Sequence, residues 1–139
     1  MPFNINTSIG YALTTTLNYL RKNFNKEIKS YNLSSEQYAV IKLVNEYGEL
    51  TPTQIAELFN RDKATVTRII KVLENKRYLI RNYIDNKSYI VKLTDIGLEV
   101  LGKVDKIAQK YHQKIVDKIG EKKLLDLIDT LNTIKKTKV

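Results

Sequence analysis

The residues from Thr51 to Thr94, TPTQIAELFNRDKATVTRIIKVLENKRYLIRNYIDNKSYIVKLT, change their hydrophobic period part-way along and so leave few folds open. Thr51 caps a helix whose first residue is Pro52, and Ile55, Ala56 and Leu58-Phe59 make its buried side. Asn60-Arg61-Asp62 is a tight turn, with Asp62 as the cap of the next helix. Between Lys63 and Lys76, the apolar Val66, Ile69, Ile70 and Leu73 fall within one arc of about 100°. Ala64, Arg68, Lys71 and Asn75 lie opposite, flanked by Thr65 and Thr67. Tyr78–Ile84 and Ser88–Leu93 are then rich in Tyr, Ile and Val, and Asp85-Asn86-Lys87 between them signals a hairpin.

Two helices joined by so short a turn and followed by a hairpin read as a winged helix-turn-helix, in a chain that is mainly α with one small β-hairpin. Small residues early on the exposed face of the second helix let it sit deep in a major groove. Arg68 and Thr67 are then placed to read bases, and Thr65, Lys63 and Lys71 to hold phosphates, with Ala64 at the point of closest approach. Arg81 at the base of the hairpin and Lys87 at its tip are available to the backbone or a minor groove. Taken alone, the second helix reads better as an ordinary helix with a solvated face. The order of the elements is what turns the reading towards DNA.

Charge supports that reading without deciding it. The 139 residues carry a net charge of +9, which suits nucleic acid or another anionic surface but also fits a coding bias towards lysine. Its placement is more informative. Residues 51–94 hold nine Lys or Arg against four acids, and Arg61, Arg68, Arg77 and Arg81 are four of the five arginines in the chain. Arginine offers the bidentate fork that phosphates and guanines accept and lysine lacks.

On either side lie amphipathic helices. Ile9, Leu13, Leu17, Leu20, Phe24 and Ile28 fall on one face of a helix over residues 7–29, capped by Thr7 or Ser8. That stripe is either core within one subunit or the seat of a partner helix, and both can hold. Ser34 with Gln37 forms a capping box for a helix through Tyr38, Ile41 and Val44 or Asn45, which Gly48 ends in the left-handed region. Thr94 caps a long helix with a stripe of Leu98, Leu101, Val104, Ala108, Tyr111 and Ile115. Gly120 closes it, and a last helix carries Leu124, Leu127-Ile128, Leu131 and Ile134. The expected organisation is one continuous domain: a dimerisation helix over residues 1–32, the DNA-binding lobe over 33–94, and dimerisation helices over 95–139.

These residues resemble the MarR (multiple antibiotic resistance regulator) family of winged-helix transcription factors. The likeness covers most of the chain and is densest from Leu33 to Gly97: LSSEQYAVIKLV, LTPTQIAELF, DKATVTRIIKVLE, LIR, and D-N-K before VKLTDIG. Thr65-Val66-Thr67-Arg68 and the closing Leu93, Thr94 and Gly97 are its most specific parts. The resemblance implies a homodimer paired through its terminal helices on a pseudo-palindromic operator, a repressor relieved by a small, often phenolic or anionic, ligand. It maps the family's recognition helix onto Lys63–Lys76 and its wing-tip pair onto Asp85 and Lys87. Three departures stand out. Lys87 replaces the usual wing-tip arginine, the wing is about two residues shorter than usual, and Arg77 stands where a glycine commonly follows the recognition helix.

Tyr11, Tyr19, Tyr38 and Tyr111 lie on helices that could line an effector pocket where the dimer helices meet the lobe, although tyrosine is equally a core and interface residue. Enzymatic chemistry has no candidate residues. There is no cysteine, one histidine (His112) and no Gly-rich phosphate loop, so neither a metal centre nor a cofactor is expected. No apolar run approaches the ~20 residues of a membrane span, and the N-terminal residues lack the pattern of a signal peptide, which leads us to expect a cytoplasmic protein. The alternative to a sequence-specific regulator is an architectural winged-helix protein that coats or bends DNA with little preference.

Overall fold

The computed structural model describes residues 1–138. Helix starts fall where side chains can take up orphan backbone N–H groups. The Ser8 hydroxyl accepts from Tyr11 N at 3.3 Å and opens α1 (Ile9–Ile28). A capping box of Ser34 and Gln37 opens α2 (Ser35–Tyr47), and a second one, of Thr51 and Gln54, opens α3 (Pro52–Phe59) with Pro52 in its first turn. The Asp62 carboxylate accepts from Thr65 N and opens α4 (Lys63–Asn75). Gly48 closes α2 at φ 82° and ψ −119°. That is a positive φ, but lies outside the left-handed helical well expected for it, and it is a conformation only glycine takes at low cost. Asn60 (φ 53°) ends α3 in that well, which its short polar side chain tolerates.

The hairpin consists of β1 (Leu79–Tyr83) and β2 (Tyr89–Leu93), antiparallel, with Leu79 opposite Leu93 and Tyr83 opposite Tyr89. It is fastened to the helices by a bridge in which Val91 N donates to Leu50 O at 2.8 Å. Ile28, Val40, Ile41, Ile55, Val66, Ile70, Leu73 and Val91 are fully enclosed. Each such side chain contributes roughly 1.5–3 kcal/mol of burial.

Two members of the expected core lie further out. Leu58 is 43% exposed and Ile69 is half-buried. On α3, Pro52, Ile55, Ala56 and Phe59 share an arc of about 100°, which leaves Leu58 roughly 110° from its centre. Two turns of helix bury only one such arc. Ile69 sits at the edge of the buried arc of α4 and lines a cleft described below.

The chain forms two compact units, Met1–Asp105 and the segment from Lys106 onward. Helix α5 (Asp95–Ile119) begins in the first and continues into the second, where Gly120 separates it from α6 (Glu121–Lys135). Leu101 and Val104 of α5 are buried, Ala108, Tyr111 and Ile115 are half-buried, and Leu98 is exposed. No side chain of α6 is buried, and Leu127, Ile128 and Ile134 are exposed. Along α1, Ile28 joins the core and Phe24 is half-buried, whereas Ile9, Leu13, Leu17 and Leu20 are exposed. Among the described residues, no helix is long and apolar enough to cross a membrane.

The base of the wing is locked to the start of α5. Arg77 takes φ +66°, a left-handed conformation that costs an L-residue roughly 1–2 kcal/mol relative to glycine. The Thr94 hydroxyl donates to Arg77 O at 2.6 Å and accepts from Gly97 N at 3.0 Å, while Thr94 N donates to Tyr78 O at 3.1 Å. A Cβ on Gly97 would stand 2.3 Å from Tyr78 O, a backbone atom that cannot swing aside. Gly97→Ala is therefore expected to lower the stability by about 2–3 kcal/mol, as overpacking does. Gly102→Ala, on the same helix with open space around it, is expected to raise stability by about 0.5–1 kcal/mol. Urea unfolding of the two variants checks both signs.

Candidate nucleic-acid interface

One cleft, of about 420 Å³, gathers the starts of two helices and the wing. Thr51 caps α3 and Pro52 and Thr53 open it, Lys63 and Thr67 come from α4, and Arg81, Lys87, Ser88 and Tyr89 from the hairpin. Helix N-termini carry partial positive charge and unpaired N–H groups. With Lys63, Arg81 and Lys87 added, the cleft gathers positive potential. Four of the residues expected to touch DNA (Lys63, Thr67, Arg81 and Lys87) thus line a single depression.

Arg81 and Lys87 are held there by different means. The Arg81 Nε donates to Glu74 Oε1 at 2.6 Å, and the guanidinium lies 4.3 Å from the centre of the Tyr89 ring. An arginine paired on one edge and stacked on an aromatic face is pre-oriented, and a side-chain hydrogen bond with Tyr83 holds it further. Lys87 sits on the wing tip, where the backbone N–H groups of both Lys87 and Ser88 donate to Asp85 Oδ1 at 2.8 Å. Those bonds hold the Asp85 carboxyl below the usual carboxylate range. Asp85 is therefore the brace of the turn that presents Lys87.

The outward face of α4 continues the surface. Ala64, Arg68 and Lys71 are exposed, and Thr65 and Thr67 are half-buried. The Thr65 hydroxyl donates to Asp62 Oδ1 at 2.7 Å and accepts from Arg68 Nη2 at 3.2 Å. Asp62 thus receives two bonds from Thr65, the hydroxyl and the backbone N–H, and its carboxyl is held below the usual range. This chain leads from the helix cap to Arg68. It gives Thr65 an orienting duty besides the direct contact expected of it. On this flank a second cleft is lined by Ser34, Glu36, Gln37, Arg61, Thr65, Arg68, Ile69 and Val72, and Arg61 pairs with Glu36 at 2.7 Å.

Thr51, Thr53, Ser88 and Tyr89 also line this cleft and Glu74 pairs with Arg81, and none of them is among the residues that the amino-acid order alone marks for DNA. The cap at Thr51 is visible in the sequence, but its convergence with the wing depends on tertiary packing. Neither cleft contains Tyr11, Tyr19, Tyr38 or Tyr111. Tyr11 and Tyr19 are exposed on α1. The Tyr38 hydroxyl donates to Asp105, whose carboxylate also takes Lys42 Nζ at 3.0 Å. Burial first, and then Asp105, push the Tyr38 phenol well above its ordinary range. Tyr111 belongs to the second unit, with Lys114 Nζ 5.4 Å from its ring centre. His112 is exposed.

A family model described as MarR family matches residues 33–85, from the cap of α2 to the wing tip. The chain is 30% identical over 125 residues to the HTH-type transcriptional regulator BilQ of Clostridioides difficile, covering 86% of this chain and 84% of that protein. The chain belongs to the MarR family. Among solved structures, the Staphylococcus aureus MepR–DNA complex superposes with a TM-score of 0.83 at 18% identity, covering 93% of this chain and 96% of MepR. Bordetella bronchiseptica BpsR, whose DNA binding is regulated by 6-hydroxynicotinic acid, gives 0.84 at 17% identity, covering 99% and 100%. The winged helix-turn-helix fold of this MarR-family chain is shared with both.

Asp62 and Asp85 couple the interface to acid. Both carboxyls are depressed in the folded chain, so their contribution is complete above the ordinary aspartate value of about 3.9 and is lost as pH falls through the depressed values. In an NMR titration the amide signals of Thr65, Lys87 and Ser88 are expected to move together with these two carboxyls, with midpoints below that of an unperturbed aspartate. Midpoints at or above the ordinary value would contradict the bracing role.

Proposed function

We propose that the chain is a homodimeric transcriptional regulator that binds double-stranded DNA at an inverted repeat and represses. The observation that carries this reading is the continuous exposed surface made by Ala64, Arg68 and Lys71 of α4 and by the cleft of Lys63, Thr67, Arg81 and Lys87. A helix with small residues at its leading end enters a major groove, and the cations beside it neutralise the flanking phosphates. Arg68 and Thr67 read bases. Lys63, Lys71, Arg81 and Lys87 hold phosphates or the edge of a minor groove, with Thr65 keeping Arg68 in place.

The exposed stripes of α1 and α6 supply the dimer contact in this proposal, and two recognition helices then meet successive major grooves roughly one helical turn apart. MepR is known in complex with DNA, and in BpsR a small aromatic acid, 6-hydroxynicotinic acid, regulates DNA binding. By extension, a small phenolic or anionic effector relieves binding here, with Tyr11, Tyr19, Tyr38 and Tyr111 as its candidate contacts. Such an effector would have to displace or share the Tyr38–Asp105 bond.

Selection of binding sites from random duplex DNA at about 150 mM salt is the test. An enriched inverted repeat is expected, whereas tight binding with no enrichment would favour the architectural reading. Against the selected site, Arg68→Ala is expected to cost about 1–3 kcal/mol and to relax sequence preference. Lys87→Ala is expected to weaken all sequences alike and to reduce the salt slope by about one. Equal losses for Arg68→Ala on selected and random DNA would remove its base-reading role.

A further inference from the structure

The DNA-binding lobe accounts for only part of the chain's basicity. From Lys106 to the C-terminus there are nine lysines against four acids, a net charge equal to that of residues 51–94. None of these residues is an arginine. Four of the lysines, Lys106, Lys110, Lys114 and Lys118, recur every fourth residue along α5, and all four are exposed. At 100° per residue they follow an arc of roughly 120°, and at 1.5 Å per residue they span about 18 Å.

Like charges at this spacing repel and weaken a helix. Some helical lysines elsewhere are offset by acids, as in Lys42 with Asp105 and Glu46, Lys103 with Glu99, and Lys122 with Asp126. On the ladder no lysine has an ion-pair partner among the described residues. Lys114 has only the Tyr111 ring, and the one acid on the arc, Asp117, accepts from Gln113 at 2.8 Å. The row of charge is therefore unneutralised from within.

We propose that this lysine ladder is a second, sequence-independent surface for the DNA backbone, separate from the recognition helix and wing. Along one strand DNA presents a phosphate every 3.4 Å of its axis, so about 18 Å faces roughly five of them. Lysine is a flexible point charge without the planar fork, which suits gripping phosphates and not reading bases. An anionic membrane is a poorer fit. A helix lying in a lipid interface needs a free apolar face to insert, and on α5 that face is already buried at Leu101 and Val104 and half-buried at Ala108, Tyr111 and Ile115.

The test is Lys106→Gln/Lys110→Gln/Lys114→Gln in the full chain, where glutamine keeps helix propensity and removes charge. Circular dichroism checks that the helix content is retained. The triple change is made both in the native chain and in an Arg68→Ala/Lys87→Ala background. Binding to a random duplex of about 60 base pairs is measured against salt. In both backgrounds the triple change is expected to flatten the slope of log K against log salt by about two to three, close to one phosphate per lysine. An unchanged slope would make the ladder an ordinary solvated face and overturn the proposal. So would an unchanged DNA slope accompanied by lost binding to phosphatidylserine vesicles. If Arg68→Ala/Lys87→Ala alone leaves all DNA binding intact, the winged-helix reading fails while the ladder still stands or falls on its own slope.

Discussion

The Thr94 hydroxyl is where the DNA-facing half of the molecule is fastened. One hydrogen bond to Arg77 O and one from Gly97 N put the end of α4, the foot of the wing and the start of α5 within a few ångströms of one another. Arg77 must turn left-handed to offer that carbonyl. The cost of the turn falls on a position where the family commonly has glycine, and the two bonds through Thr94 help offset it. Gly97 has to lack a side chain because the Tyr78 carbonyl occupies the space. A slip at this point would rotate the wing relative to α4 and separate Lys87 and Arg81 from Lys63 and Thr67, which share one cleft only while that angle holds.

A second set of contacts fixes the cations themselves. Free lysine and arginine side chains lose roughly 2 kcal/mol of rotamer entropy when a ligand immobilises them. Part of that cost is met in advance for Arg81 by Glu74 and Tyr89, and for Arg68 by Thr65 and Asp62. The interface thus uses acids to position bases. Glu74 and Asp62 lower the local positive charge, yet they turn mobile charges into aimed ones. Among the described residues, Lys63, Lys71 and Lys87 lack such braces on their ammonium groups, which is the arrangement expected of contacts to a phosphate row, where position along the strand matters less.

Much of this was legible in the amino-acid order. Ser34, Thr51 and Asp62 were readable as caps because a cap is a local bond to a residue two or three places on. The hairpin was readable because β-prone runs flank Asp85-Asn86. The exposed face of α4 followed from a 3.6-residue period. What could not be read depends on partners distant in sequence: Glu74 with Arg81, Lys76 with Asn32 O, and Tyr38 with Asp105, separated by 67 positions. Leu58 shows the complementary failure, since an apolar residue on a two-turn helix has no local signal saying which side of the arc the neighbours will cover. Thr65 was marked as a candidate from its face alone, and only the geometry reveals that its hydroxyl links Asp62 to Arg68.

The two ends of the chain raise a stability argument that bears on function. A 15-residue helix with no buried side chain, as α6 is here, gains little from packing, and isolated helices of that length are marginal in water. The upper part of α1 has the same problem, with four apolar residues of one stripe exposed. Covering such stripes with a second copy would supply the missing burial, and would also make two recognition helices a single ligand for DNA. Each half-site then contributes to one binding event, so modest contacts from Arg68, Thr67 and a few lysines per subunit suffice for tight binding. On the proposed function, the stability of α1 and α6 and the affinity for DNA are coupled. Loosening the terminal helices is then expected to weaken DNA binding through the dimer rather than through a lost DNA contact.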